Sequence, residues 1–250
     1  MRSEEPAARQ SLSQGQMITV DWQKAKRSNL PLNSGSCPIF TLFALVSGLE
    51  SGYAIRRNED VLKFSPQYVM DCMPNPKYCD TNTVTEYNTY LINKGVPLES
   101  ADPYKGKAGT CPFAAGLSQQ PAPQRYLAES ITSFDMKNDD DYTYQVDKKP
   151  FVVFLQFSNQ VRFYKSGTFV PSDCTSSTIP GAFVNVDGYS MDMENNGYYI
   201  LKFPFGTGWG ASGNMQFVKA KKNNYSTINL CNFYKNAYVI TAANPKSASG

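Results

Sequence analysis

A chain of 250 residues is long enough for one large domain or two lobes around a shared interface, and 41% hydrophobic content with 16 Tyr and 15 Phe belongs to a folded protein. The net charge of +3 is spread without blocks and comes with no basic stripe or recognition motif, which argues against nucleic-acid binding. No apolar run approaches the roughly 18 residues of a membrane span, Met1 to Gln16 lack the apolar segment of a signal peptide, and the chain has no histidine.

In chain order, residues 1–17 read as a polar tail. Val20-Asp21-Trp22 opens an ordered segment, and a Pro/Asn/Ser/Gly loop runs up to Cys37. Pro38 suits the first turn of a helix, where a missing N–H costs nothing, and Phe40 to Ile55 is apolar almost all round, a helix buried on most faces. Ser65 before Pro66 predicts a second helix start. Thr83 to Asn93 reads as a third helix, with Gly95 as its stop. Residues 118–124, with Pro121 and Pro123, form a connector. Beyond it, 151–157 is a β-branched and aromatic run typical of a buried strand, and 182–189, 197–203 and 214–219 are further strands. Residues 241–250 are a second tail.

Several residue groups carry candidate chemistry. Six cysteines allow fifteen pairings on composition alone, or a reduced protein with buried thiols. Asp139-Asp140-Asp141 offers carboxylates to a cation but reads as a solvated loop. Lys165 and Lys202 are conceivable general bases. Asn224-Tyr225-Ser226 is a glycosylation acceptor pattern, meaningful if the chain is secreted.

Residues Met17 to Ile240 resemble the papain family of cysteine proteases, in its cathepsin-L-like group. The likeness rests on Val20-Asp21-Trp22, Ser34-Gly35-Ser36-Cys37, Met70-Asp71-Cys72 with Cys79 seven residues on, and Asp102-Pro103-Tyr104 before Cys111. Phe163-Tyr164-Lys165-Ser166-Gly167-Thr168-Phe169 and Gly206-Thr207-Gly208-Trp209-Gly210 add to it, and Leu49 to Asn58 looks like the falcipain branch. The resemblance implies an α+β, two-lobed fold over 18–240, with a helical lobe over about 25–120 around a buried central helix and an antiparallel, barrel-like β lobe over about 125–240. It also implies bridges Cys37–Cys79, Cys72–Cys111 and Cys174–Cys231, and hence an oxidising compartment, secreted, lumenal or lysosome-like, with assembly inside the cell as the other option.

The family's nucleophilic cysteine precedes a helical Glu by ten residues. Ten before Glu50 is Phe40, and Trp22 stands fifteen before Cys37, the family's spacing to its structural cysteine. Cys37 is therefore the structural one. By the same carry-over the histidine position holds Ala182, six before Gly188-Tyr189, the asparagine position holds Phe203, and the oxyanion glutamine position holds Ser34. Asp80, Thr81 and Asn82 replace the family's Asn-Gly-Gly, putting Cβ atoms where a substrate backbone would approach. Loss of one member of a catalytic unit costs on the order of a million-fold in subtilisin. The expectation is a non-catalytic homologue without cofactor or metal, acting as a component of a protein assembly and docking partly through residues 1–16 and 241–250. The alternative is a soluble binder of peptides, propeptides or inhibitors, and a residual peptidase is the remaining one.

Overall fold

The computed structural model describes residues 9–10, 17–74, 83–113, 123–134, 139–156, 159–171, 181–194, 196–219, 231–233 and 236–243. The helical half is built on α1 (Phe40–Arg57). Leu42, Phe43, Ala44 and Leu45, four consecutive residues that point to different sides, are all buried, so a stripe-free apolar sequence becomes a helix enclosed on nearly all sides. It runs two residues past the expected Ile55. Arg56 and Arg57 suit the carbonyl end of the last turn, and Asn58 then takes φ 52°, its N–H closing onto the Ala54 and Ile55 carbonyls.

α2 (Pro66–Cys72) begins as its sequence implies, with Ser65 Oγ accepting the Tyr68 N–H at 2.9 Å. α3 (Val84–Asn93) starts at a reciprocal Thr83–Glu86 capping box. Gly95, at φ +68°, lies just beyond its end.

The β-rich half contains β3 (Ala128–Phe134), β4 (Phe151–Gln156), β5 (Thr168–Phe169), β6 (Gly181–Met191), β7 (Gly197–Lys202), β8 (Asn214–Val218) and β9 (Ala237–Ala242), hydrogen-bonded in the order β3-β9-β4-β6-β7-β8-β5. The pairing is antiparallel except between β5 and β8, which run parallel. β6 is the hub. It pairs with β4 through residues 181–186, with β7 through 185–191, and with β2 (Ile18–Asp21) through 188–191. Gly188 permits that crossing, because a Cβ there would stand 2.1 Å from the Val20 carbonyl oxygen.

Three expectations are corrected. Arg9 and Gln10, assigned to the tail, form β1, paired with β2. Thr241 and Ala242, assigned to the other tail, belong to β9. The Asp139–Asp141 loop is the first turn of α4 (Asp139–Lys148), where carboxylates suit the helix N-terminus. Asp139 is not solvated there but fully buried, 2.8 Å from Lys219 Nζ.

Two cores result. One lies inside the sheet around Tyr142, Phe151, Tyr189, Tyr199, Phe217 and Phe233, the other around α1. β4 is apolar at every position but its last because it serves both. Phe151, Val153 and Leu155 point into the first core and Val152 into the second, the two-residue alternation of a strand covered on each face. Ile240 of β9 meets α1 at Gly48, where a Cβ would lie 2.3 Å from its Cδ1.

Candidate functional site

Two loops meet at the start of α1. The Ser34 N–H donates to the Pro204 carbonyl at 2.9 Å, the Gly206 N–H donates to the Leu32 carbonyl at 3.2 Å, and Asn33 and Phe205 form an isolated antiparallel bridge. Gly206 takes φ +74° to make this turn. Segment 32–40 and segment 203–209 are thereby held as one unit.

Phe40, the first residue of α1, is half-buried and packs edge-on against Phe205, with ring centroids 5.4 Å apart at 88°. Phe205 stacks on fully buried Phe203 at 5.7 Å and 14°, and Trp209 stands 5.0 Å from both rings. The Trp209 Nε1–H donates to the Val161 carbonyl at 3.1 Å, so the indole is fixed at its polar end. Of the four positions singled out in the sequence, Phe40 and Phe203 are thus joined through Phe205. Ser34 is buried beside them, and its carbonyl accepts the Tyr104 hydroxyl at 2.8 Å. Burial raises that phenol to about 12. Ala182 stands on β6 opposite Leu155 of β4, nearly buried, with a methyl group for a side chain. The partners Phe205 and Trp209 were missed as members of this cluster. Their only signal was the Phe203-Pro204-Phe205 and Gly-Thr-Gly-Trp-Gly run.

Charged groups near this unit are buried and paired. Lys202 Nζ lies 2.9 Å from Asp187 Oδ2 and also donates to the Asn29 carbonyl at 3.1 Å. Ser28 Oγ and Gln23 Nε2 donate to the same carboxylate oxygen at 2.7 and 2.9 Å. An ammonium so engaged has no proton-acceptor role, which removes Lys202 as a general base. Lys165 is exposed. Glu50, a mere ruler in the sequence reading, is 5% exposed and accepts the Phe64 N–H at 2.8 Å. Its burial raises the carboxyl to about 7, against the pull of that bond, the Asn29 side chain, Lys202 and Lys63. At Lys219 burial lowers the ammonium pKa, opposed by Asp139.

The Cys72–Cys111 disulfide is present. Cys37 and Cys231 are also disulfide-bonded, while their expected partners Cys79 and Cys174 lie outside the described residues, as do Asp80, Thr81, Asn82 and Asn224. Among the described residues no cysteine is free and no cluster of metal-ligating side chains occurs. No helix among them is long and apolar enough to cross a membrane.

Comparison with known proteins places this architecture. Residues 18–241 match the family described as papain family cysteine protease. Ananain of Ananas comosus is 27% identical over 214 residues, covering 85% of this chain and 58% of ananain. A senescence-specific cysteine protease of Arabidopsis thaliana is 29% identical over 231 residues, covering 90% of this chain and 63% of that protein. The chain thus spans about three fifths of the length of these curated relatives. Among solved structures, bromelain from Ananas comosus in an inhibitor complex superposes with a TM-score of 0.73 at 25% identity, covering 89% of this chain and 98% of bromelain. A digestive procathepsin L from Tenebrio molitor larval midgut shares the fold at the same TM-score and 24% identity, covering 89% of this chain and 69% of that one. With the fold, the loop geometry and a match across nearly the whole chain in agreement, this protein belongs to the papain family of cysteine proteases.

Proposed function

We propose that this papain-family chain is not a peptidase and serves as a non-catalytic component that binds other proteins. The observation that carries the reading is the ring at Phe40. At the head of the central helix, where the family resemblance puts the nucleophilic thiol, stands a phenyl group packed edge-on against Phe205. Papain-type chemistry needs a thiolate, a histidine to activate it and a donor for the oxyanion. The chain has no histidine, the described cysteines are in disulfides, and Ser34 and Phe203 stand where the resemblance expects glutamine and asparagine. The Cys72–Cys111 disulfide, with Cys37 and Cys231 also disulfide-bonded, suits an oxidising, secreted or lysosome-like compartment.

The second reading, a soluble binder that captures peptides or propeptides in the cleft, is weakened by the same rings. Phe40, Phe205 and Phe203 fill with carbon the region where the family works on its substrate. Protein binding through other surfaces remains the better match.

Two measurements test the proposal. Purified protein, never exposed to reductant, is treated with iodoacetamide and then incubated with a peptide library. The expected results are no alkyl adduct by intact mass and no hydrolysis above buffer. Alkylation with matching loss of a peptidase activity would overturn the reading. Native size, measured in extract from the source without reductant, is expected to exceed the 27.8 kDa of the chain. A free monomer that captures peptides would establish the second reading instead.

A further inference from the structure

Lys219 Nζ and Asp139 Oδ2 stand 2.8 Å apart, and neither side chain has exposed surface. They meet where α4 begins and β8 ends. Two hydroxyls complete the cluster. Nζ donates to Thr143 Oγ1 at 2.8 Å and to the Tyr199 hydroxyl at 3.0 Å, and that hydroxyl donates in turn to Asp139 Oδ1 at 2.6 Å. Amine, phenol and carboxyl therefore form a closed ring of contacts. The Tyr199 and Tyr189 rings wall it, their centroids 4.2 and 5.2 Å from Nζ.

Two opposite charges in such a place have both given up their water. Burial lowers the Lys219 ammonium pKa, against the pull of Asp139 and, further off, Asp140 and Asp147. One proton passed from Nζ through the Tyr199 hydroxyl to the carboxyl leaves a neutral amine touching a carboxylic acid. Adding one C–O bond of about 1.2 Å to the Nζ–Oδ2 distance puts Nζ within about 4 Å of Cγ, near the roughly 3–3.5 Å of a reacting pair. Partners held in this way react as if at about 10⁵–10⁸ M, far above the concentration of water, so condensation outruns the hydrolysis that keeps free amines and acids apart in solution.

The product suits the site. A secondary amide has one N–H to donate and one carbonyl to accept, and Thr143 Oγ1 and the Tyr199 hydroxyl are the matching partners. No charge stays buried. The Lys202–Asp187 pair, 2.9 Å apart, lacks this match. Asp187 Oδ2 also accepts Ser28 Oγ and Gln23 Nε2, and Lys202 also donates to the Asn29 carbonyl. One amide could not satisfy all of these groups.

We propose that Lys219 and Asp139 condense in the folded chain to an intramolecular amide, with the Tyr199 hydroxyl carrying the proton. The Nζ–Cγ bond forms and one Cγ–O bond breaks. The departing oxygen leaves as water with two of the three ammonium hydrogens, so no oxidant, reductant or cofactor is consumed. The link closes the chain from α4 through β8 into one covalent loop. It does not depend on whether the region around Phe40 is catalytic.

Peptide mapping tests the idea. Natively purified full chain, and full chain made unfolded and kept in urea, are each reduced, digested with trypsin and analysed by tandem mass spectrometry. The native sample alone is expected to give a branched peptide that joins the segments holding Asp139 and Lys219. That peptide should be one water lighter than their sum, with no cleavage after Lys219. Tyr199→Phe keeps the ring and removes the proton carrier, so at a matched early age its linked fraction should be about tenfold lower. Separate peptides with cleavage after Lys219 in the native sample, a link formed equally in urea, or an undiminished linked fraction in Tyr199→Phe would each overturn the proposal.

Discussion

Replacing Glu50 by Gln should stabilise this protein at neutral pH and leave it unchanged in acid. The wild-type carboxyl is 5% exposed at the centre of the structure, bonded to the Phe64 N–H, and burial raises its pKa from 4.5 to about 7. The folded state therefore holds a proton that the unfolded state has released between those values. The associated stability is fully present below pH 4.5 and is lost as pH rises through 7. With about 1.4 kcal/mol for each unit of pKa, the loss approaches about 3.5 kcal/mol. Glutamine has nearly the same shape, keeps the acceptor for Phe64 and cannot ionise. Urea unfolding from pH 4 to 8 should give equal stabilities for wild type and variant at pH 4, with the variant ahead by about 3 kcal/mol at pH 8. Taking the difference between the two proteins cancels every other titrating group, including Lys149 and Lys219, whose pKa values burial lowers. A difference independent of pH, or an advantage of the variant in acid alone, would refute the account of Glu50.

Other expectations concern the frame around the site. Lys219→Met leaves Asp139 buried without its counter-ion and should cost about 3–5 kcal/mol. Combining it with Asp139→Asn should recover part of that, and a double variant as unstable as the sum of the singles would show that the pair is uncoupled. Gly188→Ala sets a Cβ 2.1 Å from the Val20 carbonyl and should cost at least 1–3 kcal/mol by thermal denaturation; a neutral result would contradict the close crossing of β2 and β6. Replacing Cys72 and Cys111 by Ser opens a 39-residue separation and should cost about 4 kcal/mol in the chain-entropy model, read as a fall in the urea midpoint. A change below about 1 kcal/mol would place that restraint elsewhere.

Local signals made much of this fold legible. Ser65-Pro66 and Thr83 to Glu86 start helices through contacts made within four residues, and the apolar run from Phe40 can only be a helix with little exposed face. Pro38 and the apolar run after it placed the start of that helix at Phe40, where α1 begins. α4 was illegible for a physical reason. Its sequence, Asp139 to Lys148, is mostly polar, and Asp139 becomes a core residue only because Lys219, Tyr199 and Thr143 close around it. A single carboxylate in a chain has two opposite readings, and a partner 80 residues away decides between them. Glu50 is the same problem inside a helix that was legible. Its position was clear, while its titration depends on burial that no local pattern records.

On the proposed reading, Phe40 and Phe203, joined through Phe205, show how departures from a family pattern can depend on one another. Each ring alone would be a large apolar group beside the polar atoms of a working cleft, and each polar atom alone would be a buried donor or acceptor short of a partner. Together, Phe40 lies edge-on to Phe205, Phe205 lies flat on Phe203, and Trp209 closes the set. Aromatic pairs of this kind contribute about 0.5–1.5 kcal/mol each beyond the area they bury. Catalytic constellations cost a fold stability because they hold polar groups in strained or desolvated positions. On the proposed reading, a chain that keeps the papain scaffold with mutually packed carbon at that place lacks this cost. Single restorations would then expose the remaining rings without assembling a thiolate–imidazole pair. On the proposed reading, the way back to catalysis is blocked by packing as much as by missing chemistry.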